Sequence, residues 1–142
     1  MAVDPGERFI GLAISDPTGT IANPVGVIRH RSRKEDAEAI ARLAAEKGAA
    51  VIVIGQATAA NGEATTLQAR RAANLAAAVR AISPAKVVLW DETHSTQKAT
   101  EAWRSMRVSR RRKKRIDAIA ATVILQDYLD AQSSTKPIQH LA

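Results

Sequence analysis

Three acidic positions in this chain have the residue types and the placement needed to bind a divalent cation. Asp4 ends the first apolar run, Asp91 and Glu92 follow a later one, and Asp117 stands at the start of the last apolar segment. Carboxylate oxygens are the ligands that Mg²⁺ and Mn²⁺ prefer. If the fold brings Asp4, Glu92 and Asp117 together, they predict a site for two such ions, which is suited to phosphodiester hydrolysis.

Each acid also has an ordinary structural interpretation. Asp4 precedes a Pro-Gly turn, Asp91 and Glu92 precede a helix start, and Asp117 matches the positive end of a helix dipole. Asp117 is expected on the apolar face of its helix, where an unpaired charge would cost several kcal/mol and a cation would remove that cost. Asp91 is the alternative ligand to Glu92, because a one-residue slip of a strand exchanges its faces.

A dense basic segment ends two residues before Asp117. The chain has 21 Lys and Arg against 14 Asp and Glu, a net charge of +7, and the segment "RSMRVSRRRKKR" (104–115) holds eight of these basic residues and no acid. Such a cluster is typical of a polyanion-binding surface, although a solvated loop is the alternative. We expect a loop that holds nucleic-acid phosphates through Arg104, Arg107, Arg110, Arg111, Arg112, Lys113, Lys114 and Arg115.

The elements that must position these residues follow from apolar periodicity and from turn residues. Apolar runs predict five strands, at Ala2–Asp4, Gly11–Ser15, Ile21–Ile28, 49–55 and 86–90. Four helices are predicted. The first is capped by Ser32 and ends before Gly48, and the third is capped by Ser95 or Thr96. The fourth covers Ile116–Leu129, and the second directs four apolar residues inward: Leu67, Leu75, Val79 and Ile82.

The element order indicates an α/β fold. Three consecutive strands followed by alternating helices and strands predict a five-stranded mixed sheet with helices on both faces. We expect Ala2–Asp4 at the centre, between the second and fourth strands, with the fifth strand beyond the fourth. Sites in such sheets form at the carboxyl ends of strands, which is where Asp4 and Glu92 stand. Residues 1–130 are expected to form the domain and 131–142 a polar tail.

Composition narrows the class of protein. The 142 residues include no cysteine, and 46% are hydrophobic but only 3% aromatic. Disulfides and thiolate chemistry are therefore excluded, and no apolar stretch approaches the roughly 20 residues of a membrane span. These features are typical of a cytoplasmic protein without a membrane partner. The sequence does not distinguish a monomer from a homodimer.

Four blocks of the sequence, in order, resemble one family. They are Asp4 to Ala13 ("DPGERFIGLA"), Val53-Ile54-Gly55 with Asn61-Gly62, 91–99 ("DETHSTQKA"), and 113–121 ("KKRIDAIAA"). The chain resembles the YqgF/RuvX family of pre-16S rRNA nucleases, also described as Holliday-junction-resolvase-like. Turn and support roles in these blocks are expected for Gly6, Gly11, Gly55, Gly62, Ser95 and Thr96.

The resemblance implies an RNase H-like fold, with Asp4, Glu92 and Asp117 at the metal-binding catalytic positions for Mg²⁺ or Mn²⁺. It also implies action on nucleic acid, with 5′-end maturation of 16S rRNA favoured and cleavage of branched DNA as an alternative. A further alternative is an RNA-binding ribosome assembly factor on the same fold that does not cut.

The chain departs from the family pattern at two places. Gln56-Ala57 stand where the family has Leu-Pro, and Thr93 stands where it has an arginine after Asp-Glu. A lost guanidinium removes a bidentate phosphate contact, for which Arg8 or the basic segment is the expected substitute. An actin-like or sugar-kinase ATPase has a similar phosphate loop but needs two such domains, and this chain has room for one.

Overall fold

A computed structural model of the chain describes residues 1–56, 67–91 and 110–135, with the side chains of 110–117 and 134–135 excepted. Its strands are β1 (Ala2–Asp4), β2 (Phe9–Ser15), β3 (Ala22–Arg29), β4 (Val51–Gln56) and β5 (Lys86–Asp91). Its helices are α1 (Arg33–Glu46), α2 (Leu67–Ile82) and α3 (Arg110–Thr135). Within this described part, no helix has the length and apolarity that crossing a membrane requires.

The five strands form one mixed sheet in the order β3-β2-β1-β4-β5. β1 pairs antiparallel with β2 and parallel with β4, β2 pairs antiparallel with β3, and β4 pairs parallel with β5. This confirms the predicted architecture, including the central position of the shortest strand. Asp4 therefore ends the middle strand of the sheet.

Helices cover both faces of the sheet, and the alternation of side chains along each strand assigns a residue to each face. Val3, Leu12 and Ile54 belong to the cluster that packs against α1 and α2. Ala2 and Val53 belong to a second cluster, which packs against α3. The second cluster is rich in alanine, so α3 approaches the sheet closely.

The ends of α1 follow the sequence signals. The Ser32 hydroxyl accepts a hydrogen bond from the Glu35 backbone N–H at 3.1 Å, as its N-cap position predicts. Gly48 follows the helix with a φ of +66°, a conformation that glycine adopts without steric cost. The predicted start and stop of this helix are confirmed.

The inward face of α2 differs from the prediction. Leu75 and Val79 are buried, but Leu67 and Ile82 are 65% and 51% exposed. These two are the first and last residues of the helix, at the ends of the packed stripe. The stripe is completed by alanines, namely Ala69, Ala72 and Ala76.

The last helix is longer than predicted at both ends. It begins at Arg110 rather than Ile116 and ends at Thr135 rather than Leu129. The predicted loop is therefore wrong for 110–115, because arginine and lysine are good helix formers and no glycine or proline interrupts the run. The predicted helix capped by Ser95 or Thr96 lies outside the described residues, and the division at residue 130 stays a prediction.

Candidate active site

Asp4 stands at the carboxyl end of β1 with glycine on both neighbouring strands. It pairs directly with Gly11 of β2. On the other side Val3 pairs with Ile54 of β4, so Gly55 is the next residue beside Asp4. Because Ala2 faces α3, the pleat directs Asp4 to the same face. The half-buried carboxylate thus has no side chain next to it on either adjacent strand.

Gly6 fixes the turn that follows this carboxylate. A Cβ atom on Gly6 would lie 2.2 Å from the carbonyl oxygen of Phe9, a distance that no side chain tolerates. Any other residue would displace the backbone between β1 and β2. The glycine therefore allows the chain to turn within two residues of Asp4.

The register of β5 separates the two neighbouring acids at its end. Asp91 pairs with Gln56 of β4. Leu89 packs in the α1–α2 cluster and Trp90 in the α3 cluster, so the pleat directs Asp91 to the face opposite Asp4. Glu92 lies outside the described residues.

Helix α3 runs antiparallel to β1, with its amino-terminal half toward the edge that carries Asp4. A separate pocket lies at the opposite edge of the sheet, beside Met1, and is lined by Leu125 and Leu129 of this helix. Ala121 belongs to the cluster around Ala2 and Val53. Residues before Ala121 therefore approach the carboxyl ends of the strands.

Asp117 precedes Ala121 by one helical turn and is the eighth residue of α3. The predicted stabilisation by the helix dipole is therefore wrong, because that effect is confined to the first turn. The face predicted to lie on the sheet does so, since Ala121 and Ile124 are buried there and Tyr128 packs against them.

The predicted nucleic-acid-binding residues fall into three groups. Arg8 is exposed in the β1–β2 turn, and its carbonyl accepts a hydrogen bond from the His30 N–H at 2.8 Å. The basic residues from 110 to 115 form the first turns of α3. The remaining two predicted arginines, and three of the predicted support residues, lie outside the described residues: Arg104, Arg107, Gly62, Ser95 and Thr96.

The structure also reveals a charged pocket that sequence inspection missed. The buried Asp36 carboxylate binds Nδ1 of His30 and accepts a hydrogen bond from the Arg31 N–H at 3.0 Å. Both side chains line a pocket of about 260 Å³ beside the β1–β2 turn. The available signal was the placement of His30 and Asp36 on either side of the Ser32 cap.

Comparison with known proteins identifies the family. A family model described as "RuvX: Holliday junction resolvase" matches residues 1–131. The chain belongs to this RuvX family. A relative from Caldanaerobacter subterraneus subsp. tengcongensis is 35% identical over 95% of this chain and 98% of its own length. One from Clostridium perfringens is 36% identical over 92% and 95%, and both are named "Putative pre-16S rRNA nuclease".

Solved structures confirm the fold of this RuvX chain. Thermus thermophilus RuvC bound to a Holliday junction substrate aligns with a TM-score of 0.55 at 15% identity, covering 94% of each chain. The fowlpox virus resolvase, also bound to junction DNA, aligns with a TM-score of 0.51 at 12% identity over 94% and 97%. The predicted RNase H-like fold is therefore confirmed.

One departure from the family pattern has a structural role in this RuvX protein. Gln56 stands where the family has leucine, and its Nε2 donates to the Ala69 carbonyl of α2 at 3.3 Å. The amide thereby forms a hydrogen bond to the first turn of that helix. The end of β4 is therefore tied to α2 despite the changed residue.

Proposed function

We propose that this RuvX protein is a divalent-metal-dependent nuclease that hydrolyses phosphodiester bonds, acts in the cytoplasm and processes the 5′ end of pre-16S rRNA. The observation that carries the proposal is the position of Asp4, at the end of the central strand with Gly11 and Gly55 beside it. Family membership over residues 1–131 supports a nuclease. The names of the curated relatives support pre-16S rRNA as the substrate.

The residues that would hold the metal are Asp4, Glu92 and Asp117. Asp4 suits this role because it supplies hard oxygen ligands at the end of the central strand, where its direct neighbours on both adjacent strands are glycines. Among the side chains that the structure describes, no three acids or histidines form a metal cluster, and those of Glu92 and Asp117 are not among them. Divalent cations at such carboxylates polarise a phosphoryl oxygen and offset the negative charge that develops during hydrolysis.

The position of Asp91 supports Glu92 as the second ligand. Asp91 follows Trp90 and is directed away from the face that carries Asp4. A pleat continued for one more residue would return Glu92 to that face. We therefore retain Glu92 in the proposed ligand set and assign Asp91 no catalytic role.

The basic residues at the start of α3 support a nucleic-acid substrate. Six consecutive basic residues, from 110 to 115, precede Asp117 in the same helix. The antiparallel course of α3 directs this end toward the edge of the sheet that carries Asp4. In the proposed complex these cations hold the phosphate backbone without reading its sequence.

Branched DNA is the second candidate substrate. It is favoured by the description of the matching family as a Holliday junction resolvase. A resolvase cuts two strands symmetrically. A homodimer would provide two active sites related by two-fold symmetry for this reaction, and a monomer would not.

The test is a cleavage assay of purified protein with Mg²⁺, with Mn²⁺ and with EDTA. Substrates are pre-16S rRNA fragments, unstructured single-stranded RNA and four-way DNA junctions. We expect metal-dependent cleavage of the rRNA fragment, lost in Asp4→Asn and retained in the control Asp91→Asn. Preferential cutting of the junction would instead favour the resolvase. Binding of RNA without cutting under any condition would leave the assembly factor as the function.

A further inference from the structure

The charged pocket on the α1–α2 face of the sheet opens next to the proposed active site. It is lined by Gly6 and Glu7 of the β1–β2 turn, His30 after β3, Arg33 of α1 and Arg71 of α2. Gly6 is two residues beyond Asp4 in the sequence. The pocket and the carboxylate thus lie on opposite faces of the same sheet edge.

Two arginines line this pocket, and the described side chains supply no counter-ion for either. Arg33 and Arg71 come from different helices, and neither forms an ion pair with any residue whose side chain the structure describes. Arginine binds phosphate oxygens through its planar set of five N–H donors. Two such groups around one pocket are suited to an anionic ligand.

His30 adds a third potential donor, and Asp36 determines its orientation. Nδ1 of His30 is bound to the Asp36 carboxylate, which leaves Nε2 as the ring nitrogen that can reach a ligand. Nε2, the other ring nitrogen, makes no hydrogen bond to the described residues, and the ring is 36% exposed. Asp36 itself is 5% exposed and also holds the Arg31 N–H.

The pocket has the size of a small anionic group rather than of a large ligand. Its volume of about 260 Å³ is below the roughly 300–1,000 Å³ of clefts that enclose drug-sized molecules. Glu7 at the rim is the acid that opposes an anion there, since the Asp36 charge is directed to His30 and Arg31.

We propose that this pocket binds a phosphate group of the nucleic-acid substrate, through Arg33, Arg71 and His30, while the neighbouring backbone reaches Asp4 over the sheet edge. The inference rests on the proposed function and deepens it, because it assigns a second phosphate site on the face opposite α3. The phosphate is either an internal phosphodiester or a terminal 5′-monophosphate.

The experiment measures binding of single-stranded RNA in EDTA, so that cleavage and metal binding play no part. Arg33→Ala and Arg71→Ala should each weaken binding about two- to fivefold, the range of an exposed charge pair. Each should also lower the slope of log K against log salt by about 0.7, which is one phosphate contact. Arg42→Ala on α1 and Arg70→Ala on α2 are matched controls, since both arginines are exposed and line no part of the pocket.

Three further measurements sharpen the result. Glu7→Gln removes the opposing charge and should strengthen binding. Inorganic phosphate added to the wild-type protein should shift the ¹⁵N resonance of His30 Nε2, and Arg71→Ala should reduce that shift. Oligonucleotides with and without a 5′-phosphate distinguish the two phosphate sources. If Arg33→Ala and Arg71→Ala weaken binding only of the phosphorylated strand, the pocket holds the terminal phosphate. If they weaken binding of both strands equally, it holds an internal one.

The outcomes separate this proposal from the proposed function. If the pocket variants and their controls lose RNA affinity equally while cleavage is intact, the proposed phosphate site is wrong and the proposed nuclease function is unaffected. A wild-type protein that binds no nucleic acid would overturn both. Selective losses at Arg33 and Arg71, with none at Arg42 and Arg70, would establish the site.

Discussion

The indole Nε1 of Trp90 donates a hydrogen bond to the Asp127 carboxylate at 2.8 Å, joining the edge strand β5 to α3. The same indole packs edge-to-face on Tyr128, with ring centroids 5.2 Å apart. Gln126 makes a similar link at the other edge, where its Oε1 accepts from the Ala22 N–H at 3.0 Å. Helix α3 is thus held to both outer strands of the sheet.

Trp90→Phe should therefore destabilise the protein by about 1–2 kcal/mol, because it keeps an aromatic ring but removes a hydrogen bond to a charged acceptor. The free energy of unfolding, measured in urea, checks this. Asp127→Asn retains an acceptor oxygen and should cost less. If Trp90→Phe is as stable as the wild type, the hydrogen bond contributes nothing and the aromatic packing holds α3 alone.

Glu92→Gln should reduce cleavage by more than about 100-fold, since removal of one group that stabilises transition-state charge already costs roughly 10²–10³. Asp91→Asn should retain activity, because the pleat directs that residue to the opposite face. Both variants remove one negative charge from adjacent positions, so each controls for the other. The reverse result would mean that β5 is out of register by one residue at its end.

Gly6→Ala should impair cleavage as well as stability. The new Cβ would lie 2.2 Å from the Phe9 carbonyl oxygen, and the required shift of the turn should cost about 1–3 kcal/mol. Gly48→Ala is the control, because its positive φ makes alanine costly by about 1–2 kcal/mol at the opposite end of the sheet. Assayed well below both melting temperatures, only the Gly6 variant should lose activity. Equal activity in the two would show that the turn does not position Asp4.

Much of this arrangement follows from local sequence signals. The apolar runs that end at Asp4 and at Trp90 predict the strand ends, and the element order predicts the sheet in which Asp4 is central. The predicted loop is wrong for 110–115 because charge density says little about backbone conformation, whereas arginine and lysine favour helix.

The charged pocket could not be predicted in the same way. Gly6, His30 and Arg71 are distant in sequence and meet only through packing of the β1–β2 turn against α1 and α2. The pairing of His30 with Asp36 has a local signal in the Ser32 cap between them, but no local pattern predicts that Gly6 and Arg71 join them. Similarly, the exposure of Leu67 and Ile82 depends on where the two ends of α2 extend beyond the packed core. The apolar periodicity of the helix does not predict these points.

Asp16 should stabilise the folded protein at neutral pH and lose this stabilising effect in acid. Its carboxylate accepts hydrogen bonds from the backbone N–H groups of Ile21, at 2.9 Å, and Thr20, at 2.8 Å, and from the Thr18 hydroxyl. These bonds, that of Ile21 first, lower the pKa of Asp16 from 3.8 to about 2. The Asp16 carboxyl therefore binds a proton more readily in the unfolded chain than in the folded one. Its stabilisation of the folded state is complete above about pH 4 and is lost as the pH falls through about 2.

Urea midpoints of the wild type and of Asp16→Asn, measured from pH 5 to pH 2, check this prediction. The difference between the two proteins should shrink as the pH falls. Thr18→Val removes one donor and should narrow the same difference partway. A difference that stays constant down to pH 2 would show that the carboxylate charge contributes nothing to this turn.

The basic start of α3 should supply most of the salt-dependent affinity for nucleic acid. Replacing Arg110, Arg111, Arg112, Lys113 and Lys114 with alanine preserves helix propensity while removing five charges from one helix end. If all five contact phosphates, the slope of log K against log salt for single-stranded RNA should fall by about 3.5, at roughly 0.7 per contact. The loss should be similar for RNAs of different sequence, because phosphate contacts carry no base information. Asp117 is unchanged in this variant, so cleavage at high protein concentration should survive. An unchanged salt slope would mean that this end of α3 is only a solvated surface and that the phosphate contacts lie elsewhere on the protein.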